Sequence, residues 1–319
     1  MTFKIGFWNV NGLSQQKYET EEFIDIVNQY DILCFTETWK EDGKNLLAPS
    51  GYKAKYHNRQ HKHAKAKRNS GGIMIVYKAE LHDHLKVTNN KDENILWVKL
   101  SKSFEGLRRD LKLGAVYISP QNSDVNKKES ATDTLEVLYE QVASFNDNES
   151  IILGGDFNAR IGNSSGRVID DLEFSGIKDA GTELTPEKNN DISMRDRVSE
   201  DKKLNARGLD LLDFCTSTDL CILNGRTVGD LRGKMTYIGH NGCSTVDLAL
   251  ASRDARDKNF LKSFKVEDLN IFSDHRPITV SLEKNEIPEE KEEIKLEDLE
   301  KERGCHRTTI FMSQTWNQI

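Results

Sequence analysis

Short apolar runs of strand length recur through the first 282 residues of the chain, and several of them stop abruptly at a carboxylate or an amide. Only three stretches between them carry helical spacing, so the pattern predicts a fold built mainly from sheets. Predicted strands span residues 3–10, 31–36, 72–78, 95–100, 112–118, 151–155, 220–224 and 276–282. Residues 235–238 and 246–251 read as a strand pair around Gly239-His240-Asn241-Gly242. Helices are predicted over 20–30, 131–145 and 206–219. The strands come in two sets, each with a crossover helix. That arrangement predicts a four-layer α/β sandwich, two packed mixed sheets flanked by helices. Residues 163–203 are long, polar and acidic, and predict an irregular surface excursion.

Charge divides the chain in two. Of 319 residues, 30% are charged and the net charge is −7. Residues 283–303 hold ten acids against five bases, so most of the excess belongs to the end of the chain. The reading is one domain over 1–283 and an acidic tail, helical or solvated, over 284–319. Within the domain, Lys53, Lys55, Arg59, Lys62, Lys65, Lys67 and Arg68 fall in sixteen residues without an acid. Such a strip suits either a phosphate backbone or a solvated loop. No apolar run is long enough to span a membrane. The five cysteines include no Cys-x-x-Cys pair, which excludes a structural zinc site by spacing. Buried free thiols and an N-terminus without a signal pattern predict an intracellular protein, nuclear or cytoplasmic.

The chemistry concentrates at strand ends. Asn9 closes Trp8-Asn9-Val10-Asn11-Gly12, and Glu37 follows Phe35-Thr36. Asp156 and Asn158 close Gly154-Gly155-Asp156-Phe157-Asn158, Asp247 follows Ser244-Thr245-Val246, and Asp274-His275 stands before the last strand. Singly, each is an ordinary turn former or helix cap. As a set they supply hard oxygens and one imidazole, without cysteine or paired histidines. That donor chemistry suits Mg²⁺ or Mn²⁺ better than zinc, and an Asp–His pair suits acid–base work.

In order along residues 3–282, the motifs are Trp-Asn-Val-Asn-Gly-Leu, Thr-Glu-Thr-Trp, Ser-Gly-Gly-Ile, Val-Tyr-Ile-Ser-Pro, Gly-Gly-Asp-Phe-Asn-Ala-Arg-Ile-Gly, Met-Thr-Tyr-Ile, Ser-Thr-Val-Asp and Ser-Asp-His-Arg-Pro-Ile. In this series the chain resembles the exonuclease–endonuclease–phosphatase superfamily. Within it, the resemblance is to the apurinic-endonuclease-like endonuclease domain of non-LTR (LINE-type) retrotransposons, a deoxyribonuclease I-like fold. The stretch from Asn205 to Cys215, followed by Leu220-Cys221-Ile222-Leu223-Asn224, is similar to those retrotransposon endonucleases in particular.

The resemblance implies roles for the matching positions. Glu37 would be the main metal carboxylate, with Asn9 beside it and Asp274 in the outer shell. Asn11 stands where relatives often carry Asp. Tyr117 would donate to the scissile phosphate. Asp156 would activate the attacking water, Asn158 would hold the phosphate, and His275, oriented by Asp247, would donate to a phosphoryl oxygen. Thr236 and Ser244 would lie near the phosphates. The hairpin carrying His240 would sense minor-groove shape. Independently of the resemblance, the basic stretch 53–68, with Arg59, Lys67 and Arg68, is read as holding the flanking backbone. The activity implied is Mg²⁺-dependent nicking (Mn²⁺ as substitute) of double-stranded DNA to leave a 3′-hydroxyl, with a reverse transcriptase module as partner. An abasic-site repair enzyme, another phosphoesterase of the superfamily, and an inactive nucleic-acid-binding remnant stay open as alternatives. Trp8, Trp39 and Trp97 sit in apolar runs and are expected in the core.

Overall fold

The computed structural model describes residues 2–41, 45–59, 70–88, 92–104, 107, 109–120, 134–165, 196–240, 242–257 and 259–283. Strand β1 (Thr2–Asn9) is apolar on both faces because it is covered on both. Alternate residues Phe3, Ile5 and Phe7 enter one core, while Trp8 turns to the other. Its neighbours are β14 (Ile278–Glu283), antiparallel, and β2 (Ile32–Thr36), parallel. With β13 (Leu261–Val266), β4 (Ile73–Lys78) and β3 (Tyr52–His57) they make a six-stranded sheet ordered β13-β14-β1-β2-β4-β3.

A second six-stranded sheet runs β5-β6-β7-β8-β12-β9. Its members are β5 (Leu85–Thr88), β6 (Ile95–Leu100), β7 (Asp110–Tyr117), β8 (Glu149–Asp156), β9 (Cys221–Ile222) and β12 (Asp247–Ala251). The inner faces of the two sheets meet in one apolar cluster that includes Phe7, Ile75, Val98, Leu113, Ile152 and Val280. Helices α1 (Gln15–Glu19) and α2 (Glu21–Val27) cover the first sheet through Tyr18, Phe23 and Val27. Helices α3 (Thr134–Ala143) and α4 (Ala206–Thr218) cover the second through Leu135, Leu138, Leu211 and Phe214. The result is the four-layer sandwich. At about 25 cal/mol per Å² of apolar surface removed from water, three such clusters are the main stabilising contribution.

Local chemistry sets several element ends. The Ser14 hydroxyl accepts from the Lys17 amide at 3.0 Å and caps α1. The Asn205 side chain accepts from the Gly208 amide at 2.7 Å and caps α4, which ends on Asp219 in the left-handed region.

Three strands escape the sequence reading. β3, β5 and β13 carry lysines at intervals (Lys53 and Lys55, Lys86, Lys262 and Lys265), which lowers their apolar signal. β3, β5 and β13 are all edge strands, where exposed lysines discourage further pairing. The expected pair 235–238 and 246–251 is also different. β10 (Tyr237–Gly239) pairs with β11 (Gly242–Ser244) in a small hairpin, and β12 joins the second sheet against β8. The chain leaves the hairpin at Thr245-Val246, where the Thr236 hydroxyl takes the Val246 amide at 3.1 Å.

Of the predicted excursion, residues 166–195 lie outside the described residues. The part that follows is anchored inward, with Arg197 and Asp201 both buried. Trp8 and Trp97 are in the core as expected, and the Trp97 indole donates to Gln141 Oε1 at 2.7 Å. Cys34, Cys215 and Cys221 are buried free thiols and Cys243 is exposed. Among the described residues, no helix is long and apolar enough to cross a membrane. The tail 284–319 lies outside the described residues.

Candidate active site

The two sheets bring their chemistry to one edge because strand direction and register agree there. β1 and β2 run parallel with Asn9 opposite Thr36, so Glu37 emerges one residue beyond Asn9's neighbour. β7 and β8 run parallel with Tyr117 opposite Asp156, and antiparallel β12 puts Asp247 opposite Asp156 from the other side. Asp247 thus opens its strand, whereas the sequence reading placed it at a strand end. The side-chain amide of Asn9 donates to Asp156 Oδ2 at 2.9 Å, joining one sheet to the other.

Asp156 is wholly enclosed. The Asn158 amide donates to its Oδ1 at 3.0 Å. Burial, then the like charge of Asp247, push its carboxyl up to about 7 despite these donors and nearby His275. The His275 Nδ1 lies 2.9 and 3.1 Å from the two Asp247 oxygens. Burial favours the neutral ring, but the Asp247 carboxylate outweighs it and holds the imidazole up at about 10, in the protonated form. Its ring packs on Tyr237 with centroids 4.9 Å apart. The segment before it is fixed from three sides. The Trp8 indole donates to the His275 carbonyl at 2.9 Å, the Ser273 hydroxyl to the Asn9 carbonyl at 2.7 Å, and the His275 amide to Ser273 Oγ at 3.1 Å.

Glu37 lies at the mouth, half-buried, in the left-handed region with φ 56°. Its Oε2 accepts from the Trp39 indole and from the Gly71 amide. Trp39 is therefore a ligand of the Glu37 carboxylate rather than core filler, which corrects the sequence expectation. Tyr117 is buried between Glu37 and Asp156. Burial and these two negative neighbours raise its phenol well above the ordinary value, so it remains protonated. Asn11, Glu37, Trp39 and Asn158 are four of the five non-glycine residues with positive φ among those described. Such conformations cost about 1–3 kcal/mol each and persist where the surroundings impose them. Here they cluster at the strand exits that form the site.

The remaining expected residues divide. Asn11 is exposed, and its amide donates to Asp274 Oδ1 at 3.0 Å, so these two meet beside Asn9. Asn158 donates to the Ile118 carbonyl at 2.8 Å, which aims it along the β7 exit. Thr236 is fully buried and its hydroxyl takes the Asp247 amide at 3.0 Å, so it holds Asp247 from beneath. Ser244 is also buried, in the hairpin opposite Tyr237. His240 is exposed at the hairpin turn. The Arg59 guanidinium is held by Ser70 Oγ at 2.9 Å, Asn94 Oδ1 at 2.6 Å and Glu93 at 3.7 Å, so it braces the loop beside Tyr117 rather than projecting outward. Lys67 and Arg68 lie outside the described residues.

Sequence reasoning missed Lys17. Its ammonium donates to the carbonyls of Val10 at 2.8 Å, Gly12 at 2.7 Å and Phe272 at 2.8 Å. It ties the turn after Asn9 to the loop before Asp274, using all three donors. Nothing in a lone lysine on a short helix signals this.

Among the described residues, one group of three potential metal ligands is compact: Asp156, Asp247 and His275, with ligand atoms within 4.8 Å of one another. Glu37 and Asp274 lie outside it. The Asp247–His275 pair is suited to proton handling, and Asn9, bonded to Asp156, adds a hard amide oxygen at the same edge.

An RNA-directed DNA polymerase from the mobile element jockey of Drosophila melanogaster is 26% identical over 160 residues, covering 50% of this chain and 15% of that relative. Among solved structures, the AP endonuclease LMAP from Leishmania major superposes with TM-score 0.60 at 14% identity, covering 88% of this chain and 87% of that one. The endonuclease domain of TRAS1, a telomere-specific non-LTR retrotransposon, gives 0.51 at 15% identity, covering 89% and 99%. The 3′ phosphatase NExo from Neisseria, bound to a product DNA hairpin, gives 0.53 at 16%, covering 88% and 99%. These likenesses show the shared fold. The endonuclease/exonuclease/phosphatase family matches residues 6–275, and the chain belongs to that family.

Proposed function

We propose that the chain is a divalent-metal-dependent endonuclease that nicks double-stranded DNA by water attack, expels the 3′ oxygen and leaves a 3′-hydroxyl. The observation that carries this is the bond from Asn9 to Asp156 together with the His275–Asp247 pair beside it. A buried base and a buried acid stand within reach of one another. A phosphodiester repels hydroxide, so its hydrolysis needs a base for water and positive donors at the phosphoryl oxygens.

Asp156, with a proton affinity near neutrality, takes the proton from water. Asn9 and the Asn158 amide fix the direction of its lone pairs. His275 enters the reaction protonated and donates to a phosphoryl oxygen, and Asp247 keeps it charged. Tyr117, held neutral, offers a second donor. Glu37 and Asn9 would hold Mg²⁺ or Mn²⁺, with Asp274 behind Asn11. Bound there, the ion would offset charge on the phosphate and polarise it.

The relation to jockey and to the TRAS1 domain supports a retroelement setting, in which the new 3′-hydroxyl would prime a reverse transcriptase module. The test is nicking of supercoiled plasmid with and without Mg²⁺, followed by polymerase extension of the nicked ends. Extension of nicks that depend on Mg²⁺ supports the reading. Nicks that cannot be extended, or an Asp156→Ala variant as active as wild type, would end it. A duplex carrying one abasic site, cleaved far faster than intact plasmid, would instead favour the repair reading.

A further inference from the structure

The described cations of this chain differ in how they are partnered. At the end of the sheets away from Asp156, many are neutralised: Lys99 by Asp110 and Glu149, Arg109 by Asp254, and Lys262 by Glu283, each within 2.9 Å. Beside the site, buried acids stand next to exposed bases. Asp201 is buried and faces inward, receiving the Arg160 fork at 2.6 and 2.8 Å and the Thr245 amide at 3.0 Å. Asp230 is buried likewise, receiving the Gly225 and Lys234 amides at 3.2 and 3.0 Å. Their chain neighbours Lys202, Lys203 and Arg232 are exposed and Lys234 is half-buried, and none of the four makes an ion pair with a described residue. Lys202 instead touches the neutral Asn163 side chain at 3.2 Å. The exposed acid among them, Glu200, has a carboxylate oxygen on the Met235 amide at 3.3 Å.

The two cationic pairs belong to one surface. The Glu200 amide donates to the Gly233 carbonyl at 2.9 Å, which sets the first segment against the second. Both are short tethers from the site. Lys234 precedes Thr236 by two residues, a reach of at most about 7 Å, and Thr236 holds the Asp247 amide. Arg160 lies four residues after Asp156 and is clamped to Asp201. Acids turned inward and bases turned outward leave a cationic strip at the base of the β10–β11 hairpin, fixed to the strands that carry Asp156 and Asp247.

We propose that Lys202, Lys203, Arg232 and Lys234 form a phosphate-tracking strip that grips the backbone of duplex DNA flanking the cleaved bond. The proposal rests on the nuclease reading above and adds which surface seats the substrate. In the stretch 53–68, the described Arg59 is already held by Ser70, Asn94 and Glu93. The strip touches no base, so its contribution is sequence-independent and salt-sensitive.

The test compares the intact chain with a Lys202→Gln/Lys203→Gln/Arg232→Gln/Lys234→Gln variant. A control removes the same number of charges at Lys4, Lys86, Lys102 and Lys262, at the opposite end of the sheets. Affinity for a labelled 30-base-pair duplex, of a length chosen at roughly three helical turns, is followed against salt in Ca²⁺. Every phosphate that the protein ceases to neutralise lowers the slope of log affinity against log salt by about 0.9. The strip variant is expected to lose about 2–4 units of slope, and the control less than about 1. Single-turnover nicking in Mg²⁺ at saturating DNA should match wild type for the control. Equal slopes for the strip variant and wild type, or equal losses in strip and control, would overturn the proposal. A wild-type chain that binds duplex with the expected slopes but nicks nothing would fail the nuclease reading and leave the strip standing.

Discussion

The Asn9 side-chain amide and the Asp156 carboxylate, 147 residues apart in sequence, meet at 2.9 Å and join the two sheets at the edge where the site is built. The bond is buried, so removing one partner leaves the other without it in a place water does not reach. Asn9→Ala should therefore cost about 1–3 kcal/mol of stability. It should also lower kcat/KM for nicking by about 100-fold, because the base loses its direction. Urea denaturation and plasmid nicking measure the two effects separately.

Asp156→Asn tests whether the buried carboxylate opposes folding. Its carboxyl is raised from 3.8 to about 7 in the folded chain. A carboxyl raised on folding favours the fold while protonated, and that contribution is lost as pH rises from the unfolded value through about 7. In EDTA at pH 8 the variant should exceed wild type by about 2–4 kcal/mol, less the weakened bond to Asn9. At pH 4 the advantage should vanish. Thermal melts at the two pH values decide it, and a variant less stable at pH 8 than at pH 4, relative to wild type, contradicts the argument.

Asp247 raises the proton affinity of both its neighbours, by repulsion of Asp156 and attraction of His275. The nicking rate of wild type should rise through about 7 as Asp156 ionises and fall near 10 as His275 loses its proton. In Asp247→Asn both limbs should move to lower pH together. The stability from His275 has the opposite sign to that of Asp156 above neutrality. It is fully present below the unfolded imidazole value and is lost as pH rises through about 10. A pH–rate profile in which only one limb moves would separate Asp247 from one of the two roles.

Trp39 donates its indole N–H to Glu37. Trp39→Phe keeps an aromatic ring and removes the donor. The Mg²⁺ concentration needed for half-maximal nicking should rise about 10–100-fold, while the maximal rate is recovered at high Mg²⁺. A titration with unchanged midpoint would remove Glu37 and its partner from the metal site.

The legibility of this chain followed burial. Strands covered on both faces, such as β1, β2 and β8, announce themselves as apolar runs, and the amide or acid at or just past their ends (Asn9, Glu37, Asp156) stands out against that background. Edge strands with lysine at every second or third position do not. Asp156, Asp247 and His275 were brought together as the motifs implied, because each follows or precedes a buried strand. The hold of Thr236 on Asp247 was hidden because a threonine beside a phosphate and a threonine capping a strand look alike in sequence. Its two backbone partners, Val246 and Asp247, are visible only once β12 leaves the hairpin. The partners of Glu37 were hidden for a similar reason: Trp39 sits in an apolar context, yet the backbone turns left-handed at both residues and swings the indole back.

β8 is hydrogen-bonded along both sides, in step with Tyr117 on one flank and Asp247 on the other. Adding or deleting one residue within it would rotate Asp156 away from Asn9 and into the layer of α3 and α4. Length changes that spare this register must therefore fall in the segments that leave the strands. The molecule can acquire new surroundings for its cutting edge over evolutionary time without disturbing the few ångströms where bonds are made and broken.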